Sequence, residues 1–329
     1  MKDPIQIIAE IAQGYEGSIE LCEQFVRLAK KSGANGVKFQ IFEATELSIP
    51  SYKYHSLFET LFIEPSEWKK IIDLCNEIEI DFYADVFGAK TLKWMLDCDI
   101  AGIKIHSTDV KNYELLKKLK DNNIRIILGV GGSTLLEIEK AIKFLGNNEI
   151  IIMSGFQAEP NLIEDIELHK LPIIKKRFQK KVGYADHIEV QNPLTKSLAA
   201  MAVLMGADYI EKHLTIDRDN RQLEDYISAL NDDEFMEMAN LIRDVEQFPD
   251  PQSTEFNLTE REEKYRKNSK KVVLASRDLE PNTIVTNDDV VMLRTGEEYN
   301  ELLDIEEIIG NEISEKVEEL KIIRANHLK

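Results

Sequence analysis

The sequence predicts an α/β fold, a (β/α)8 TIM barrel followed by a small β-rich module. Three observations lead there. Short apolar runs rich in β-formers alternate with amphipathic helical stretches, a pattern that builds parallel sheets. Eight such runs fill about 245 residues, the size of one barrel. After residue 246 the alternation stops. A doubly wound sheet is the structural alternative, but no GxGxxG follows the first run.

The runs are QIIAEI (6–11), GVKFQIF (36–42), IDFYADV (80–86), GIKIHS (102–107), RIILGV (125–130), IIIM (150–153), KVGYAD (181–186) and DYIEKHL (208–214). After the first, IELCEQFVRLAKKSG (19–33) sets Leu21, Phe25, Leu28 and Ala29 on one helical face, and Gly33 ends it. Helical patterns recur at 66–78, 133–146 and 192–206. Ser133 is expected to cap its helix, with Glu137 near the first turn. EQFPDPQSTEFNLTERE (246–262) carries two prolines and no apolar period, so it reads as a linker. The expected division is a catalytic barrel over 1–246, a linker over 247–266 and a thin-cored β-rich module over 267–329.

Hydrophobic residues make up 43% of the 329, enough for a real core. The net charge is −19, and the one basic run, KKRFQKK (175–181), is short. That argues against nucleic acid as a partner. An anionic small substrate is compatible, because a cleft can be locally positive in an acidic protein. Cys22, Cys75 and Cys98 form no CxxC, which fits buried thiols in a reducing cytoplasm. MKDPIQIIAEIAQGYEG lacks the basic start and long apolar core of a signal peptide. No apolar run reaches the ~20 residues of a membrane span, so no membrane partner is expected.

Barrel chemistry sits at the C-terminal strand ends. The first strand ends near Glu10 and Gln13, the second carries Lys38 and Gln40, and the third has Asp85. The fourth brings Lys104, His106, Ser107 and Asp109, and the fifth runs into Gly129, Gly131 and Gly132. Ser154 and Gln157 follow the sixth, Asp186 and His187 end the seventh, and Glu211 and His213 lie on the eighth. Singly, each has a bland reading: a snorkelling lysine, a packed histidine, a turn glycine. Together they would face one mouth, where unpaired charge is costly. Two lysines suit a phosphate or carboxylate, and glycines let backbone N–H groups approach an anion. Two histidines with a carboxylate suit a divalent metal. Glu211 and His213 share a strand face, whereas Lys212 points to the other and is read as structural.

IAEIAQGYEGS, GANGVKFQ, KIHSTDVKNYELL, VGYADH and GADYIEKHLTIDR, in that order, resemble the sialic acid synthase (N-acetylneuraminate synthase) family. The tail resembles that family's C-terminal antifreeze-like (SAF) domain. The resemblance implies a synthase, a transferase that condenses phosphoenolpyruvate with an open-chain N-acyl amino sugar. The product would be a nine-carbon 2-keto-3-deoxy acid. It implies a divalent metal, Mn2+ or Mg2+, held by His187 and His213, with Glu10 near the reacting centre. Lys38 would hold the phosphate, Lys104 the phosphoenolpyruvate carboxylate, and Ser107 would donate to the phosphate. Asp109 and Glu211 match acidic positions at the sugar end. Glu224, or its neighbour Asp225, would position the metal's water. Arg294 matches an arginine that the partner's antifreeze-like domain inserts over the sugar, which implies a domain-swapped homodimer.

The sequence also departs from the family. Gly14-Tyr15 replaces an Asn-His pair, Ala84-Asp85-Val86-Phe87 replaces Ser-Thr-Pro-Phe, and Gly129-Val130-Gly131-Gly132 replaces Ser-Thr-Gly-Met. Gln157 stands where asparagine is common, Glu159 where tyrosine is, and Ala185 where serine is. Hydroxyls are lost around the phosphate, and Asp85 and Glu159 add negative charge. The expectation is a retained metal and lysines with an acceptor other than N-acetylmannosamine. Two other readings stay open: a metal-dependent barrel isomerase or aldolase acting on sugars, and a non-catalytic sugar-binding relative.

Overall fold

The computed structural model describes residues 3–120, 122–155, 161–218, 224–249, 255–296 and 302–329, with Glu224 and Asp225 described by backbone alone. The chain divides into two compact units, Met1–Ser253 and Thr254–Lys329.

The first unit is a closed barrel of eight parallel strands in sequence order. Strand β1 (Gln6–Ala12) leads through helix α1 (Ile19–Lys31) to β2 (Gly36–Ile41). Three helices follow, α2 (Ala44–Leu47), α3 (His55–Thr60) and α4 (Pro65–Glu77), then β3 (Asp81–Val86) and α5 (Ala89–Leu96). The alternation continues with β4 (Gly102–Ile105), α6 (Tyr113–Leu119), β5 (Ile126–Gly129), α7 (Leu135–Leu145), β6 (Ile150–Ser154) and α8 (Lys170–Phe178). It closes with β7 (Lys181–Asp186), α9 (Leu198–Leu204), β8 (Tyr209–His213) and α10 (Asp232–Glu246). All eight expected strands are present. The apolar-period reading singled out α1, α4, α7 and α9 but not α2, α3, α5, α6, α8 or α10, of which α2 and α3 are too short to carry a stripe.

Strand residues alternate between faces. One face packs against the helices: Ile7, Val37, Phe39, Phe82 and Ile210 join Phe25 and Trp68 in the main core. The other fills the barrel with Ile8, Tyr83, Ile127, Ile151, Met153 and Tyr209. Strand glycines make room for this filling. A Cβ on Gly36 would stand 2.6 Å from the Tyr83 ring.

Two local features differ from expectation. The cap of α7 is Thr134, one residue beyond Ser133, because Thr134 and Glu137 form a reciprocal capping box. Helix α11 (Glu260–Ser269), with no buried residue, runs from the expected linker into the start of the expected module. Thr259 and Glu262 box its start, so local capping rather than an apolar face defines it.

The second unit has an antiparallel pair, β9 (Val272–Ala275) and β10 (Val290–Leu293), and a short helix α12 (Ile305–Ile308). Val273, Leu279, Val285, Ile308, Ile313 and Val317 form its core. Among the described residues no helix is long and apolar enough to cross a membrane.

Candidate active site

The barrel interior changes character along its axis. Two residues beyond the apolar filling, the same strand face carries Glu10 on β1, Lys38 on β2, Asp85 on β3, Lys104 on β4 and Glu211 on β8. All five are at most 4% exposed. Period-2 alternation makes this inevitable once Ile8, Tyr83 and Tyr209 point inward. The end of β1 is bulged: its register shifts between Glu10 and Ala12, and Ala12 adopts φ 52°. The Ala12 N–H donates to Glu10 Oε1 at 2.7 Å, which fixes the carboxylate.

The ammonium of Lys38 contacts the Glu10 carboxylate and lies 3.3 Å from Asp85 Oδ2 and 3.7 Å from Glu211 Oε2. Lys104 Nζ lies 2.5 Å from Glu211 Oε1. Burial pulls Lys38 down to about 8, against the upward pull of Glu211. Burial would also lower Lys104, but Glu211 and Asp85 outweigh it and the net shift is upward. For Glu211, burial would raise the carboxyl, yet Lys104 and Lys38 hold it at about 2. Asp85 Oδ1 and Glu211 Oε2 accept no hydrogen bond from a described residue. Buried acceptors left open cost free energy, so these oxygens are suited to accept from a ligand's donor groups.

His187 and His213 stand at the same mouth, ring centroids 5.2 Å apart and planes at 65°. Burial, then Lys104, depresses His187 to about 3. Burial, then His187, takes His213 well below the usual range. Both imidazoles are therefore neutral, the form that ligates metal. His187 Nδ1 is buried and has no hydrogen-bond partner among the described residues. No group of three or more His, Cys, Asp or Glu suited to a metal is present among them either. Two facing neutral imidazoles fit a cation that keeps open positions for water or substrate, as catalytic sites do.

The remaining expected site residues are placed as follows. Gln40 accepts from Gln13 Nε2 at 2.9 Å on the loop after β1. Ser107 and Asp109 lie in a 3₁₀ turn after β4, both partly exposed. Asp109 accepts from Asn112 Nδ2 at 2.7 Å, and its burial raises the carboxyl. Gln157 and Glu159 lie outside the described residues, as do the side chains of Glu224 and Asp225. Arg294 is exposed just past β10, in the second unit.

The structure does not bring Asp186, expected at the substrate, into this cluster. It falls on the strand face that packs against the helices, 3.3 Å from the ammonium of Lys212, and both are buried. Strand alternation, with Ala185 among the barrel-filling residues, dictates that turn. Tyr226 was not expected. Its hydroxyl donates to Glu16 Oε1 at 2.8 Å, tying the Glu224–Ile227 turn to the loop after β1. Nothing in the sequence marks a tyrosine and a glutamate 210 residues apart as partners.

A closed parallel barrel with charged side chains gathered at the C-terminal ends of its strands has the layout of a barrel enzyme. The NeuB family model matches residues 25–252. An uncharacterized protein of Methanocaldococcus jannaschii is 32% identical over 74% of this chain and 72% of its own. The N,N'-diacetyllegionaminic acid synthase of Legionella pneumophila is 25% identical over 94% of this chain and 90% of its own. Among solved structures, the N-acetylneuraminic acid (sialic acid) synthetase of Leptospira borgpetersenii, in complex with citrate, superposes with a TM-score of 0.74. It is 24% identical and covers 81% of this chain and 92% of its own, a likeness of fold. The chain belongs to the NeuB family. It is an enzyme of the transferase class.

Proposed function

We propose that this enzyme condenses phosphoenolpyruvate with an open-chain N-acyl amino sugar to give a nine-carbon 2-keto-3-deoxy (nonulosonic, sialic-type) acid and phosphate. The observation that carries the reading is the buried pair Lys38 and Lys104, held by carboxylates beneath two neutral imidazoles. In this reading Glu10, Asp85 and Glu211 occupy the ammonium groups until substrate arrives. The phosphate takes Lys38, with Ser107 donating to it, and the phosphoenolpyruvate carboxylate takes Lys104. Glu211, released from Lys104, then accepts from the sugar beside Gln40, Asp85, Asp109 and Gln157. Carbon 3 bonds to the aldehyde carbon, water adds at carbon 2, and phosphate leaves from there.

His187 and His213 would hold Mn2+ or Mg2+, which when bound supplies Lewis-acid polarisation of the aldehyde. Glu224 or Asp225 would orient water, with Glu10 near the reacting carbons. The second unit is read as an antifreeze-like (SAF) domain, delivering Arg294 of the partner subunit over the sugar in a domain-swapped homodimer. The three cysteines are thiols, which supports a cytoplasmic site of action.

The acceptor is read as differing from N-acetylmannosamine. Ala84, Gly129 and Ala185 stand where the family carries hydroxyls, and Asp85 adds a carboxylate. A 2,4-diacetamido-trideoxyhexose is the leading alternative, supported by the likeness to a diacetyllegionaminic acid synthase. The test is phosphate release from phosphoenolpyruvate with Mn2+ and a panel of amino sugars, with mass spectrometry of products. A nine-carbon acid with equimolar phosphate is expected. Sugar turnover without phosphate release would instead establish an isomerase or aldolase, which the lost hydroxyls favour. Sugar binding with no turnover across the panel would establish a non-catalytic relative.

A further inference from the structure

We infer that the buried Lys212–Asp186 ion pair is a positioning device that sets how His187 and His213 approach a shared divalent cation. The inference rests on the metal reading above. Strands β7 and β8 are neighbours, and Asp186 is in register with Lys212. Each residue directly precedes one of the two histidines. The histidines sit at the mouth while the pair occupies the opposite strand face, 1% and 0% exposed.

The pair acts on the two peptides that flank Ile188, the residue after His187. Asp186 Oδ1 accepts the N–H of Ile188 at 2.9 Å, the amide that joins His187 to the next residue. Lys212 Nζ donates to the carbonyl of Ile188 at 3.2 Å and lies 3.3 Å from Asp186 Oδ2. From the other side, the N–H of Asn161 donates to the carbonyl of His187 at 3.0 Å. Of the peptide leaving His187, the N–H is thus held by the Asp186 carboxylate and the carbonyl by the Asn161 backbone, and Lys212 from β8 holds the carbonyl of the next peptide. Those charges are surrounded by the helix-packing face, beside Tyr184 and Ile210.

Stability does not explain this pair. Apolar residues of similar volume often replace a buried ion pair without loss. They cannot hold an amide and a carbonyl in fixed directions. Any buried ammonium needs acceptors; here a single ammonium from β8 takes both the β7 carboxylate and a carbonyl just past His187, which ties the two ligand-bearing strands together. Residues behind metal ligands typically set affinity by 10–100-fold.

The test measures Mn2+ affinity directly, by electron paramagnetic resonance of free Mn2+ against full-length protein, beside thermal melting. Wild type should bind Mn2+, and His187→Ala should not. The double variant Asp186→Leu/Lys212→Met should melt within a few degrees of wild type and bind Mn2+ at least about tenfold more weakly. A folded double variant with affinity changed less than that overturns the brace while leaving the metal site standing. If the double variant does not fold, Asp186→Asn, nearly isosteric, is read by the same threshold. If wild type binds no Mn2+, or His187→Ala binds it as tightly, the metal reading fails and the brace with it.

Discussion

His213 and His187 show how burial prepares chemistry. Burial is the main reason both imidazoles are neutral, with Lys104 adding to it at His187 and His187 adding to it at His213. In this reading His213→Ala loses Mn2+-dependent turnover by more than the 10–100-fold typical of a residue behind a ligand, while circular dichroism shows an intact fold. The same burial makes metal-free protein acid-sensitive. The folded His187 titrates at about 3, below its ordinary 6.5. Between those values the unfolded chain binds the extra proton, so stability is full above about 6.5 and falls with falling pH, by about 1.4 kcal/mol per unit. Glu211, lowered from 4.5 to about 2, adds a loss of the same sign only below its ordinary value. Urea midpoints in chelator between pH 6.5 and 4.5 isolate the histidine contribution, and His187→Gln should flatten the slope there. Lys38 titrates at about 8, so kcat/KM for phosphoenolpyruvate should decline above that pH. Lys38→Arg should shift the decline upward if it retains turnover.

At the scale of the elements, the barrel was legible because its signals are local. Period-2 apolar runs give the strands, and inward alternation then aligns Glu10, Lys38, Asp85, Lys104 and Glu211 without further information. What was not legible depends on contacts between distant residues. The side taken by Asp186 follows from which face of β7 fills the barrel, and the Tyr226–Glu16 bond spans the chain. Thr134 rather than Ser133 caps α7 because its partner Glu137 stands three residues on. The strand glycines also have a purpose visible only in three dimensions. Gly36→Ala would push a methyl to within 2.6 Å of the Tyr83 ring and should cost about 1–3 kcal/mol by overpacking. Chemical denaturation measures it directly, and an unchanged midpoint would show that the ring has room to shift.

For the whole molecule, the second unit carries the one expected site residue that is not on the barrel, Arg294. If it serves the sugar in the dimer, Arg294→Ala should raise KM for the acceptor about tenfold or more, with KM for phosphoenolpyruvate within about twofold; tenfold corresponds to about 1.4 kcal/mol. Equal effects on both substrates would assign the unit to folding alone. The plug of Ile8, Tyr83, Ile127, Ile151 and Tyr209 has a kinetic corollary. With this plug at the base, a ligand of the charged cluster would come and go from the strand-end side. In the proposed reaction, binding is then expected to be ordered, phosphoenolpyruvate before sugar, which product-inhibition kinetics checks. If phosphoenolpyruvate, on the deep lysines, enters first, the nine-carbon acid competes with its sugar precursor for the same doorway.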